Sequence, residues 1–122
     1  MKNNNQKLGG WGEDLASDYL LKKGYKILEK NYRNNYGEID IVAKKKKIII
    51  FIEVKTRSGR SFGLPEDAVN RTKQGKLIKI SEKYILDNRI KGNYQIDVIA
   101  IEKDSITKKV NLRHLKNAVR YF

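Results

Sequence analysis

Asp40, Glu53 and Lys55 lie within one stretch, Gly37 to Thr56, read as GEIDIVAKKKKIIIFIEVKT. Two runs rich in Ile, Val and Phe flank four lysines, a composition that favours strand over helix. Successive side chains of a strand alternate faces, so Glu38 and Asp40 share one face of the first run, and Phe51, Glu53 and Lys55 share one face of the second. A hairpin register that pairs Asp40 with Glu53 also pairs Glu38 with Lys55 and leaves Lys46 and Lys47 as a two-residue turn. A slip of two residues keeps the acids on one face, and a slip of one separates them. The turn lacks the favoured Asn-Gly sequence, so its length stays open at this point. In the right parity the two carboxylates stand roughly 5 Å apart, with an ammonium beside them.

Two like charges so placed repel, and a buried carboxylate without a partner is costly. A divalent cation resolves both problems. Mg²⁺, or Mn²⁺ in its place, takes oxygen ligands from one or two carboxylates and keeps waters for a phosphate. Asp40 and Glu53 are the candidate ligands, with the Val54 backbone carbonyl between Glu53 and Lys55 as a further oxygen. Lys55 is then placed to orient or deprotonate a water, or to stabilise charge developing on phosphate.

The remaining composition narrows the partner. In 122 residues, 27 Lys and Arg stand against 14 Asp and Glu, a net charge of +13. Such an excess points to a polyanion, most often nucleic acid, ahead of an anionic membrane surface or simple solubility. The length predicts one domain, and 39% hydrophobic residues supply one modest core. With no cysteine there is neither a disulfide framework nor a thiolate nucleophile, and the single histidine, His114, excludes a multi-histidine metal site. No apolar run approaches the ~20 residues that span a bilayer. The MKNNNQK start lacks the apolar region of a signal peptide, so the expectation is a cytoplasmic protein with no membrane partner.

The elements that must position these residues follow from periodicity. Residues 1 to 5 read as a frayed polar end. From about Gln6 to Lys23, Leu8, Trp11, Leu15, Tyr19 and Leu20 recur at helical spacing, and Gly24 closes the helix. Gly9, Gly12 and Ala16 form a second ridge of small residues, which implies close backbone approach to something. Glu13 lies at the edge of this ridge and on its own reads as a solvated helix acid. Tyr25 to Tyr32 is a first strand, followed by a turn over Arg33 to Gly37, then the hairpin.

After Thr56 the loop RSGRSFGLPED brings Arg57 and Arg60 to where a basic segment can track a phosphate backbone. Arg71 to Asn88 is a second amphipathic helix, capped by Asn70 or Thr72, with Lys73 and Gln74 in its first turn and Gly75 weakening its start. Asn93 to Ile101 is a fourth strand in which Asp97 either supports the site or, the commoner case for an acid so placed, pairs with a lysine. A short edge strand over Val110 to Leu112 and an amphipathic segment, Leu115 to Tyr121, that packs Leu115, Ala118 and Val119 on the sheet complete the chain. His114 reads as structural.

Taken in order, Gly12-Glu13, Gly37-Glu38-Ile39-Asp40, Glu53-Val54-Lys55, and Val69 followed by Lys73-Gln74 resemble the YraN family of bacterial proteins. That family is similar to archaeal Holliday-junction resolvases of the PD-(D/E)xK nuclease superfamily. The resemblance covers about Lys7 to Ile101, and weakly the tail from Arg113. It implies an α/β fold with a restriction-endonuclease-like core, ordered α-β-β-β-α-β, whose mixed central sheet is flanked by helices. It also implies that Asp40 and Glu53 bind Mg²⁺, that Lys55 is the catalytic lysine, that Glu13 is an additional acid near the metal, and that Lys73 and Gln74 contact phosphate. The function expected is metal-dependent hydrolysis of phosphodiester bonds in DNA, including branched DNA. Cutting a junction would call for a homodimer with two sites. The alternative is a nucleic-acid-binding module that keeps the fold without catalysis.

Overall fold

A computed structural model describes residues 3–59 and 63–119. The order is α1 (Asn4–Lys22), β1 (Lys26–Asn34), β2 (Gly37–Lys45), β3 (Ile48–Ser58), a 3-10 turn (Pro65–Ala68), α2 (Arg71–Asp87), β4 (Tyr94–Lys103) and β5 (Val110–Val119). The strands form one sheet in the order β1-β2-β3-β4-β5. Only β3 and β4 run parallel, because the chain between them crosses over through α2; the remaining pairs are antiparallel. The expected α-β-β-β-α-β order is therefore present, with a fifth strand added.

The two helices cover opposite faces. Alternation along β3 sends Phe51 to the α2 face, where it joins Val42, Leu77, Ile80 and Tyr84, and sends Ile50 and Ile52 to the α1 face with Ala16, Leu20 and Ile41. A strand apolar on both faces, as β3 is from Ile49 to Ile52, belongs at the centre of a covered sheet. At 0–5% exposure these four residues show why β3 is central.

Helix α1 starts at Asn4, within the end expected to fray. The reason is a capping box: the Asn3 side chain accepts from the Gln6 amide and the Gln6 side chain accepts from the Asn3 amide. Gly24, at φ 89°, ends the helix as expected. The buried face of α1 is Gly12, Ala16, Ser17 and Leu20, so the small-residue ridge meets the sheet and Trp11, Leu15 and Tyr19 pack at its flank. An added Cβ on Gly12 would stand 2.0 Å from Thr56 Oγ1, whereas Gly9 has nothing within 4 Å. The close approach inferred from the glycines occurs at Gly12.

The tail differs from expectation. Val110–Val119 is one continuous strand, antiparallel to β4, rather than a short strand and a separate amphipathic segment. The spacing of Leu115 and Val119 satisfies both helical and strand periods, which is why pattern alone misreads it. Leu115 and Val119 do pack on the core, but Ala118 is exposed; residues 120 and 121 of the expected segment lie outside the described residues.

Asp97 is fully buried and does not pair with a lysine. His114, one strand over, places Nε2 2.7 Å from Asp97 Oδ2, and Asp97 Oδ1 accepts from Gln95 Nε2 and the Asn117 amide. With Nε2 donating to the carboxylate, Nδ1 of a neutral ring accepts from the Tyr19 hydroxyl at 2.9 Å. This chain of contacts through His114 ties α1 to β4 and β5. No helix among the described residues is long and apolar enough to cross a membrane.

Candidate functional site

The site forms where two strands part. The β2–β3 ladder runs from Lys45↔Ile48 to Ile41↔Ile52, which leaves Lys46 and Lys47 as the two-residue turn and projects Asp40 towards Glu53. Lys46 makes the turn possible by adopting a left-handed φ of 56° without glycine. Beyond Ile52 the Asp40 carboxylate replaces the backbone ladder: Oδ2 accepts from the Val54 amide at 2.7 Å. Within an extended strand a residue's N–H and C=O lie on the same edge, so the Val54 carbonyl is also directed into the gap. Glu38 does not continue the register to Lys55. Its carboxylate instead takes Arg33 Nη2 at 3.0 Å, across the β1–β2 pair.

Glu53 is 4% exposed. Burial pushes its carboxyl up to about 8, helped by its hydrogen bond with Asp40 and the Asp40 charge; Lys73 and Lys55 pull the other way. Lys73 Nζ lies 3.3 Å from Glu53 Oε2, yet that oxygen is buried and accepts no hydrogen bond. The contact is a charge pair with an acceptor left over.

Glu13 arrives from the opposite face, placed by the Gly12–Thr56 contact that seats α1 on β3. Burial raises its carboxyl to about 7, followed by the charges of Asp40 and Glu38 and a hydrogen bond with Asp40. Asp40 thus couples electrostatically to both Glu13 and Glu53. The structure brings together Glu13, Asp40, Glu53 and Lys73.

Lys55 is half-buried on β3 and lines a groove of about 590 Å³ with Asn5, Leu8, Gly9 and Arg57. This groove follows the edge of β3 that β2 has left. Arg57 turns one guanidinium nitrogen onto the Thr56 carbonyl at 3.2 Å. Gln74 lies apart from the carboxylates, its amide donating to the Val69 carbonyl at 3.0 Å to brace the start of α2. Arg60 lies outside the described residues. Two features escape sequence reasoning. Lys73 meets Glu53 only because the crossover returns α2 over β3, and Asn31 sits beside Glu13 with no motif to mark it.

The sequence profile of the uncharacterised protein family UPF0102 matches residues 12–101. A UPF0102 protein of Alkaliphilus oremlandii is 47% identical over 117 residues, covering 93% of this chain and 98% of the relative. The chain belongs to UPF0102, the YraN family. UPF0102 proteins of Caldanaerobacter subterraneus and Syntrophomonas wolfei are 46% and 45% identical, covering 96% and 93% of this chain and 98% of each relative. The region matched by the UPF0102 profile contains Glu13, Asp40, Glu53 and Lys55. Among solved structures, Pyrococcus furiosus SfsA in complex with Ca²⁺ aligns at a TM-score of 0.45 with 15% identity; the alignment covers 96% of this chain and 65% of that one.

Among the described residues no three His, Cys, Asp or Glu side chains are arranged to hold a metal between them. Two carboxylates, a backbone carbonyl and waters nevertheless satisfy Mg²⁺, which rarely uses an all-protein cage. The unsatisfied Oε2 of Glu53 and the adjacent Asp40 fit that requirement.

Proposed function

We propose that this UPF0102 protein hydrolyses phosphodiester bonds in DNA, with Asp40 and Glu53 binding Mg²⁺ or Mn²⁺. The observation that carries the reading is Glu53 Oε2, a buried acceptor without a hydrogen bond, set against a second carboxylate. When bound, the cation would supply Lewis-acid polarisation of the scissile phosphate. Asp40 and Glu53 would hold it, the Val54 carbonyl would add an oxygen, and Glu13 adds negative charge beside Asp40. Lys55 orients the attacking water and stabilises the extra charge on the phosphate as the new P–O bond forms and the leaving oxygen departs with a proton. The groove of Lys55 and Arg57 takes the adjoining strand, and the +13 net charge draws in the polyanion.

A second reading has an observation of its own. Lys73 already offsets the Glu53 charge from 3.3 Å, as it would in a nucleic-acid-binding module that needs no cation. Thermal unfolding with added Mn²⁺ separates the two. The nuclease reading expects wild type to be stabilised and Asp40→Asn not to be. Incubation with linear, flapped and four-way-junction DNA then tests the chemistry: wild type should cut with Mg²⁺ or Mn²⁺, and Lys55→Ala should cut at least about a hundredfold more slowly. Equal cutting by both proteins, or none by wild type across metals and salt, would reject the nuclease reading.

A further inference from the structure

Asn31 stands in the middle of β1 with a left-handed φ of 53°. A non-glycine residue in this region inside a strand is uncommon, and Asn is among the few side chains that tolerate it. Its neighbours keep the ladder, Lys30 opposite Ile41 and Tyr32 opposite Ile39, so the distorted residue lies directly across from Asp40. The distortion directs its carboxamide to the acids. With the nitrogen facing them, it donates to Glu13 Oε1 at 2.9 Å and to Glu38 Oε1 at 3.3 Å. The opposite orientation would set an amide oxygen against two carboxylates, so the donor orientation is the consistent one.

We propose that Asn31 is a positioning residue of the carboxylate site, holding Glu13 beside Asp40 so that its negative charge adds to that of the two carboxylates, Asp40 and Glu53, that bind the divalent cation. This rests on the cation reading above. The residue type suits the task on two counts. A neutral amide fixes one carboxylate oxygen and leaves the charge to the cation, where a lysine would compete for it. Its backbone accepts φ 53° where a β-branched side chain would resist it. Glycine satisfies the backbone requirement but donates nothing, so Asn31→Gly removes the side-chain function alone.

The test is a double-mutant cycle read by Mn²⁺ calorimetry, with Tm in EDTA as the control for folding. Asn31→Gly should leave Tm unchanged or higher and weaken Mn²⁺ binding about tenfold. Glu13→Gln should weaken it similarly, and the double variant should bind no worse than Glu13→Gln alone. Wild-type affinity in Asn31→Gly, or additive losses in the double variant, would overturn the proposal. The carboxamide ¹⁵N–¹H signals of Asn31 report the contact without metal and should move in Glu13→Gln. Unmoved signals in a protein that binds Mn²⁺ overturn the role of Asn31 alone. Failure of wild type to bind Mn²⁺ overturns the cation reading, and the positioning role with it.

Discussion

At Glu53 a carboxyl raised to about 8 and, at Glu13, one raised to about 7 tie stability to pH. Both folded values lie above the ordinary carboxyl range, so between about pH 4.5 and 8 the folded protein holds more protons than the unfolded chain. Their contribution is complete below the unfolded value and is lost as pH rises through the folded ones. In EDTA, Tm should therefore fall from pH 5 to pH 9, and Mg²⁺ should reverse much of the fall because it favours the ionised forms. Glu53→Gln should flatten the profile and stabilise the protein at pH 9 by about 1–2 kcal/mol, since it removes a buried charge without changing shape. Differential scanning fluorimetry across pH checks both; a flat wild-type profile contradicts the burial. Asp40 facing Glu53 was legible beforehand because strand parity links residues in one hairpin. The Glu13 placement was not: its role needs α1 seated on β3, which no local pattern encodes.

Helix α1 carries three glycines that look alike in the sequence and differ in the fold. Gly12 has Thr56 against it, whereas Gly9 and Gly10 have open space. Gly12→Ala should cost about 1–3 kcal/mol despite the better helix propensity of alanine, because strand and helix must separate. Gly9→Ala should instead gain about 0.5–1 kcal/mol. Gly75 of α2, also with nothing within 4 Å, should behave like Gly9. Urea unfolding of the three variants measures this, and a neutral Gly12→Ala would mean that the interface yields easily. The helices and first four strands were readable because their apolar periods differ. The tail was not, since Leu115 and Val119 fit either period and only pairing with β4 decides.

Over the whole molecule, the excess of cations sets how nucleic acid would be held. If Lys55 and Arg57 line the path of a strand, binding should weaken steeply as salt rises, and Arg57→Ala should lower the slope of log K against log salt by about 1. Fluorescence anisotropy between about 50 and 200 mM salt reads both values; an unchanged slope removes Arg57 from the interface. Charge and family resemblance were visible in the chain, but the groove was not, because it exists only where β2 leaves β3. The turn at Lys46 and Lys47 has a kinetic consequence as well. It brings Asp40 and Glu53 together through local contacts, and hairpins close within about 1–10 μs, whereas Lys73 arrives only when α2 docks from further along the chain. The nascent hairpin must therefore carry its two acids with Lys55 alone beside them, before Lys73 is in place. Mg²⁺ should speed refolding of wild type and leave Asp40→Asn unaffected, as followed by stopped-flow fluorescence of Trp11. If the cation slows unfolding alone, the acids come together only after the rate-limiting step.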